Sequence, residues 1–367
     1  MSKENIVLLG CGDVAPVHEP MEPYSTFVRS VLATGDIRFS QVERTYSDRG
    51  TRQAHGSPTS RNKPHMASVF SDCGFNVVSV ASNHAMDWGE EALVDTIAVL
   101  QKRGMQIIGG GRNLQEARKP AIFEKNGVRV AVLAYCSVLS AGQEAGPNRP
   151  GAAPVRIHNY YQPIENQPGL PPRVVTIPYA EDLEAMTEDI AKAKKEAHAV
   201  VLSLHWGLHY IPRAIAEYQP LVAKAAFKAG ADLIIGHHAH VAKAIEVFDG
   251  KVCFYSLGNF IMSDFSAEKP EFFEKMKRYG VTPNVDDYPR CPHGKDSKHT
   301  FIVKAVISRE GVKKVSFLPV QIDKQLRPEV LNRGDPRFDE TVNFMDWASE
   351  GLNHKFQIEG DEVVLTN

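Results

Sequence analysis

The sequence predicts an α/β fold on two observations. Short apolar runs rich in β-branched residues alternate with segments whose apolar side chains recur at helical spacing. Four of those runs also end in a polar cluster holding Asp, Asn or His. With 367 residues, 43% hydrophobic and 23% charged, the chain has enough apolar side chain for a large core. That composition excludes a disordered chain and a disulfide-stapled miniature. Lys and Arg number 42 against 44 Asp and Glu, a net charge of −2, so no bulk field favours nucleic acid or an anionic membrane. Neither is expected as a partner.

The first strand is expected at Ile6–Gly10, which is far too short for a signal-peptide core or a membrane span. Further strands are expected at Asn76–Ala81, Val128–Tyr135, Ala199–Leu204 and Leu233–Gly236. Between them, Glu90–Arg103 sets Leu93, Ile97 and Leu100 on one helical face, and Glu181–Lys195 does the same with Leu183, Met186 and Ile190. Lys251–Leu257, Thr300–Ile307 and Val312–Pro319 read as an antiparallel layer. Two stretches, 137–175 and 263–299, are too polar and irregular for core and read as long functional loops. Residues 1–325 are therefore expected to form one domain with two insertions, and 326–367 a C-terminal extension with a helix around Phe338–Ala348. Five scattered cysteines without a CxxC pair indicate reduced thiols and a soluble, cytoplasmic protein.

The polar run ends carry the chemistry. His84 follows Val-Val-Ser-Val-Ala-Ser-Asn83, His205 follows Val-Val-Leu-Ser-Leu, and His237-His238-Ala239-His240 follows Leu-Ile-Ile-Gly. The first strand runs into Gly-Cys-Gly-Asp13. In open α/β sheets the carboxyl ends of parallel strands converge on one crevice. Imidazole and carboxylate groups gathered there suit manganese, zinc or iron. The remaining histidines, including His293 and His299, have no such context and read as surface or loop residues, with His18 and His55 near enough in pattern to line a cleft. Gly10-Cys-Gly12-Asp-Val-Ala15 also matches the outline of a dinucleotide fingerprint. Asp13 argues against that reading, because a pyrophosphate needs bare backbone donors there.

Taken in order, Gly12-Asp13, Gln41-Val-Glu43, Ser82-Asn83-His84-Ala-Met-Asp87-Trp-Gly89, His205-Trp206-Gly207, Gly236-His-His-Ala-His240-Val and Tyr255-Ser-Leu-Gly-Asn259-Phe260 resemble the CapA family, the capsule or poly-γ-glutamate synthesis type with a calcineurin-like metallophosphoesterase fold. The resemblance spans roughly residues 4–325. It implies a four-layer α/β/β/α sandwich with one or two divalent ions at the strand ends. Asp13, Glu43, Asn83, His205, His238 and His240 would be the ligands, with Glu43 bridging. His84 resembles the histidine that acts as general acid, oriented by Asp87. Arg44, Trp206, His237 and Asn259 are expected in the substrate wall.

Two departures stand out. Position 15 is Ala, so the Asp-x-His pair of ordinary calcineurin-like phosphoesterases is missing and one metal position is short of an imidazole. The Glu usually found two residues after His-Trp-Gly is His209, which places a titratable imidazole at the mouth of the site. The expected activity is a metal-dependent hydrolysis of an amide, lactone or phosphate ester in a small or peptide-like substrate. Proton abstraction beside a carbonyl with His209 as base, and a non-catalytic binding or polymer-assembly role, are the alternatives.

Overall fold

The computed structural model describes residues 5–58, 60–262, 274, 276–281 and 293–366. It is a mixed α/β architecture built on two large sheets. In the first, Ile6–Ala15, Ile37–Val42, Val77–Ser79 and Gln106–Ile108 run parallel, and the antiparallel strands His299–Ser308 and Gly311–Ile322 continue the sheet beyond Ile6–Ala15. In the second, Val128–Cys136, Ala199–His205, Leu233–His237 and Lys251–Phe254 are parallel, flanked by the antiparallel strands Ala121–Lys125 and Ile245–Phe248. Parallel strands buried on both faces read as continuous apolar runs, which is why Val128–Cys136, Ala199–His205 and Leu233–His237 stand out in the sequence.

One core cluster draws on both sheets, joining Leu8, Ile37 and Phe39 to Val130, Val201 and Ile235. The outer faces bury separate clusters. Leu93 and Leu100 of the helix Gly89–Lys102 close over one sheet, and Met186, Ile190, Val222 and Phe227 of Ala180–Glu196 and Tyr218–Ala229 close over the other. Placing both sheets' parallel strands side by side puts their carboxyl ends at one edge, and that positions the site.

The structure departs from the expectations in four places. Lys251–Phe254 lies in the second sheet, parallel to Leu233–His237, and shares no antiparallel layer with His299–Ser308 and Gly311–Ile322. The first strand continues through Asp13 to Ala15 instead of stopping at Gly10. Residues 137–175 are partly core: Ala152, Ala153 and Val155 are buried, and Ile157–Gln162 pairs with Arg173–Pro178 as a two-stranded hairpin. The C-terminal residues add Pro328–Val330 and the hairpin Phe356–Glu359/Glu362–Leu365 to the first sheet, beside the helix Pro336–Ser349. Most of 263–299 lies outside the described residues, as does Cys291. Cys11, Cys73, Cys136 and Cys253 are buried free thiols, and no described helix is long and apolar enough to cross a membrane.

The C-terminal helix docks on a neutral histidine. His299, read from sequence as a surface residue, is buried, stacks on Phe344 at 4.5 Å, and has Nδ1 3.2 Å from Thr341 Oγ1. Burial, reinforced by the neighbouring Lys298 charge and opposed by Glu340, holds its imidazole down to about 4. As pH falls below about 6.5 the unfolded chain takes up this proton first. Stability present above that pH is therefore lost between it and about 4, by at most about 3 kcal/mol. Thermal unfolding across that window is expected to show the loss in the parent protein. His299→Phe, which keeps the ring stack, is expected to flatten it.

Candidate metal centre

Close approach of backbone shapes the strand ends. A Cβ on Gly12 would sit 2.1 Å from the carbonyl oxygen of Gly258, and the Asp13 amide donates to that same oxygen at 3.0 Å. The glycine before Asp13 thus serves a strand-to-turn contact, which accounts for the dinucleotide-like spacing without a nucleotide. Gly236 is equally constrained, since a Cβ there would meet Tyr255 O at 2.2 Å and Trp206 Nε1 at 2.6 Å. The chain then turns sharply: His238 has φ 89° and His240 φ 58°. Left-handed backbone at two non-glycine residues costs energy and is retained mainly where side chains must be aimed.

What those residues are aimed at is a compact donor set. His205 Nε2 lies 2.7 Å from Asn83 Oδ1 and 3.2 Å from His238 Nδ1, and Asn83 Oδ1 is 3.2 Å from His238 Nδ1. Glu43 Oε1 is 3.7 Å from His205 Nε2. Ligands bound at about 2.1 Å to one ion, at tetrahedral to octahedral angles, stand about 3.0–3.4 Å apart. The observed separations bracket that range. Burial, then neighbouring imidazoles (His237 for His205, His205 for His238), hold both rings well below the usual histidine range, so both keep neutral lone pairs at neutral pH. Burial and the nearby Asp13 charge push Glu43 well above the usual carboxylate range. Asp13 Oδ1 and Glu43 Oε1 are buried without a hydrogen-bond donor among the described residues. Neutral imidazoles, an amide oxygen and two undercompensated carboxylates fit a divalent cation.

Asp13 organises the adjoining position. Its Oδ2 accepts from the His238 amide at 3.2 Å and stands 3.9 Å from His240 Nδ1. His240 Nδ1 donates to Asn259 Oδ1 at 3.0 Å. A ligand histidine held by a hydrogen bond through its other nitrogen keeps one tautomer.

His84 and Asp87 form a pair at the cavity wall. His84 Nδ1 is 2.7 Å from Asp87 Oδ2, and His84 Nε2 is 4.0 Å from Glu43 Oε1. Burial would raise the Asp87 carboxyl, but hydrogen bonds from His84, Ser60 and the Ser57 amide, with the His84 charge, bring it below the ordinary carboxylate range. His209 also lines the cavity, its ring 3.9 Å from that of His238 and tilted 38° to it. The loop carrying it is tied down by the fully buried Lys243, whose Nζ donates to the carbonyls of Ile211 at 2.7 Å and Ala214 at 2.5 Å. Burial pulls that ammonium down to about 7.

The cavity measures about 860 Å³, and polar groups such as Ser57, Ser60, Gln143, Asn159 and Thr176 form much of its wall. Asn159 and Thr176 face each other across the hairpin of the 137–175 stretch. Arg44 lines it, with Nε donating to Ala15 O at 3.2 Å, while Arg49, Arg52 and Arg61 do not. His55 lines it and His18 does not.

Three expected wall residues lie beneath it instead. Trp206 is buried, donates from Nε1 to Tyr255 O at 2.9 Å and stacks on Tyr255. His237 is fully buried against Phe39, with Nδ1 3.3 Å from Asp13 Oδ1. Asn259 is fully buried between His240 and His293. His237 ends the strand Leu233–His237 inside the core, and the sharp turn that follows re-aims the chain at His238 and His240. His293, read from sequence as a loop residue, is buried and lines the cavity. Its position at the end of an irregular polar stretch carried no periodic signal.

Two large sheets with histidine and carboxylate side chains gathered at the carboxyl ends of their parallel strands define an α/β protein with a candidate metal centre. The chain belongs to the family described as bacterial capsule synthesis protein PGA_cap, whose model matches residues 8–264. It is 37% identical over 259 residues to the PGA biosynthesis protein CapA of Bacillus subtilis (strain 168), covering 68% of this chain and 60% of that one. It is 30% identical over 203 residues to the capsule biosynthesis protein CapA of Bacillus anthracis, covering 54% and 43%. The chain thus spans about half the length of these relatives. Among solved structures, the calcineurin-like phosphoesterase YfkN from Bacillus subtilis aligns with a TM-score of 0.42 and 13% identity, over 94% of this chain and 97% of that one.

Proposed function

We propose that this protein is a metal-dependent hydrolase acting on an amide, lactone or phosphate ester. The observation that carries the reading is the His84–Asp87 pair placed 4.0 Å from Glu43 at the edge of the donor set, on the wall of one cavity. A divalent ion bound by Glu43, Asn83, His205 and His238, with Asp13 and His240 beside it, supplies Lewis acidity and a nucleophile from water near neutral pH.

The chain's own groups do the rest. Asp87 accepts from His84 Nδ1, fixing the ring so that Nε2 faces the cavity and stabilising the imidazolium. Protonated His84 gives its Nε2 proton to the leaving oxygen or nitrogen. Arg44 offers a cation to a carboxylate or phosphate on the substrate, and the hydroxyl and amide groups of the wall orient the remainder. The relatives' names concern PGA and capsule biosynthesis. A carboxylated, amide-linked chain of the poly-γ-glutamate kind suits a polar cavity of this size with Arg44 in its wall.

The test is turnover of amide, lactone and phosphate ester panels after chelation and after re-addition of manganese, zinc or iron. Hydrolysis that vanishes with the metal and returns with it is expected. Chelator-insensitive hydrolysis would sink the proposal. Deuterium entering recovered substrate in heavy water, without hydrolysis, would replace it with proton abstraction by a cavity imidazole such as His209.

A further inference from the structure

The hairpin that walls the cavity leaves one edge open. Ile157–Gln162 pairs with Arg173–Pro178 alone, in a two-stranded sheet. At its base the Tyr179 amide donates to the Arg156 carbonyl at 2.8 Å. Bonded and non-bonded pairs alternate along an antiparallel ladder. His158–Ile177, Tyr160–Val175 and Gln162–Arg173 are therefore the bonded pairs, and Ile157, Asn159 and Tyr161 turn their N–H and C=O groups outward. Two observations agree with this parity. Pro178, which has no N–H to give, falls opposite Ile157 at a non-bonded position. Thr176, also at a non-bonded position, gives its amide to the Glu217 carboxylate outside the hairpin.

The two edges differ. That of Arg173–Pro178 is covered: Thr176 Oγ1 also accepts from the Tyr218 amide at 3.1 Å, and Arg173 pairs with Glu217 at 2.7 Å. The edge of Ile157–Gln162 has no further backbone partner among the described residues. Its sequence, Ile-His-Asn-Tyr-Tyr-Gln, contains no Lys, Arg, Asp, Glu or Pro, the residues that blunt a free edge. The same parity sends the side chains of Ile157, Asn159, Val174 and Thr176 to one face, and all four line the cavity. Tyr161, opposite Val174, shares that face and is 70% exposed. The strand also starts at the metal-centre end. Val155 N donates to Cys136 O at 2.9 Å, and Ser137 N donates to His205 O at 3.0 Å. The open edge begins two residues beyond that contact and leads toward the exposed Tyr161.

We propose that this edge binds substrate by strand addition, which selects, from the classes of the proposed function, an α-linked peptide held extended. The peptide backbone exchanges hydrogen bonds with the outward groups of Ile157, Asn159 and Tyr161, and every second side chain faces the cavity. Those outward groups recur every two residues, about 6.8 Å apart. An α-linked chain repeats at that interval. A γ-linked chain has two more backbone atoms per unit and falls out of register after one amide. Arg44 suits a carboxylated chain of either linkage, so the edge is what separates them. The proposal rests on the hydrolase reading for the fate of the bound peptide and not for its binding.

Capped α-linked hexaglutamate, its γ-linked counterpart, and α-linked peptides N-methylated at one position each would be titrated by calorimetry into the parent protein, Tyr161→Pro and Tyr161→Ala. Proline at 161 removes one outward N–H and leaves the bonded pairs of the hairpin in place, whereas alanine removes the ring and keeps the N–H. Circular dichroism would confirm folding. The α-linked peptide is expected to bind, and N-methylation to weaken it about 2–10-fold at alternate positions only. Tyr161→Pro is expected to weaken it by a similar factor beyond Tyr161→Ala. Should Tyr161→Pro not fold, the N-methyl series on the parent still decides. Losses without a period of two, equal or tighter binding of the γ-linked chain, or no binding at all would overturn the proposal. So would a dimer in light scattering that Tyr161→Pro dissolves, since a second copy would then occupy the edge. Peptide bound in the alternating pattern but left uncleaved by Mn(II)-loaded protein would keep the docking site and count against the hydrolase reading. Metal-dependent ester hydrolysis without peptide binding would do the reverse.

Discussion

Glu43→Gln is expected to abolish tight metal binding, lower turnover by at least about 10³-fold, and yet raise the melting temperature of metal-free protein. The first two effects follow from position. Glu43 is fully enclosed, held by Ser82 Oγ at 2.9 Å through Oε2, with Oε1 turned toward His205 and His84. Under the proposed function, loss of this carboxylate would remove the several kcal/mol that Lewis acidity contributes, about 10³-fold or more in rate. The third effect has the opposite sign because, without a cation, two buried carboxylates repel each other. Burial and Asp13 both disfavour the Glu43 charge. A neutral isostere removes that repulsion while keeping an oxygen for Ser82, a gain on the order of 1 kcal/mol. Melting curves with and without Mn(II) would check it. The parent should rise with metal and the variant should not. A variant that melts lower than the metal-free parent would mean that Glu43 is a structural acceptor first.

The same opposition explains what the sequence could and could not disclose. Apolar runs such as Val128–Cys136 and Ala199–His205 are buried from both sides, so their composition alone marks them as central strands. Their polar ends stand out by contrast, and His205, His238 and His240 were readable as a cluster for that reason. Ile37–Val42, the strand that delivers Glu43, mixes Arg38, Ser40 and Gln41 into its run and gave no clear pattern. Arg38 donates to the Gly35 carbonyl at 2.7 Å, and Gln41 Nε2 donates to the Val42 and Ala81 carbonyls at 3.1 and 3.0 Å, so these side-chain N–H groups find partners locally inside an apolar layer. Periodicity cannot see such pairing. Neither can it tell a ligand from its neighbour: His237, His238 and His240 are alike in sequence, and only the turn assigns His237 to the interior. His293 shows the converse, a residue with no local pattern brought to the site by the chain's return.

The second large effect concerns the acid. His84→Asn is expected to reduce turnover about 10²–10⁴-fold with substrates whose leaving group needs a proton. Substrates with a good leaving group, such as a nitrophenyl ester, are expected to lose far less. Metal content should be unchanged, because His84 Nε2 stands 4.0 Å from Glu43 Oε1, outside the compact donor set. Asp87→Asn should fall between parent and His84→Asn. Its amide can still meet His84 Nδ1, so the ring is kept in place, but it no longer offers a negative charge to the imidazolium. The ratio of turnover on good to poor leaving groups should therefore rise in Asp87→Asn and rise furthest in His84→Asn. Equal losses for good and poor leaving groups would show that His84 binds substrate and does not deliver a proton. Loss of metal in His84→Asn would place it among the ligands and reassign the acid to another cavity imidazole, with His209, 3.9 Å from the His238 ring, the nearest by geometry.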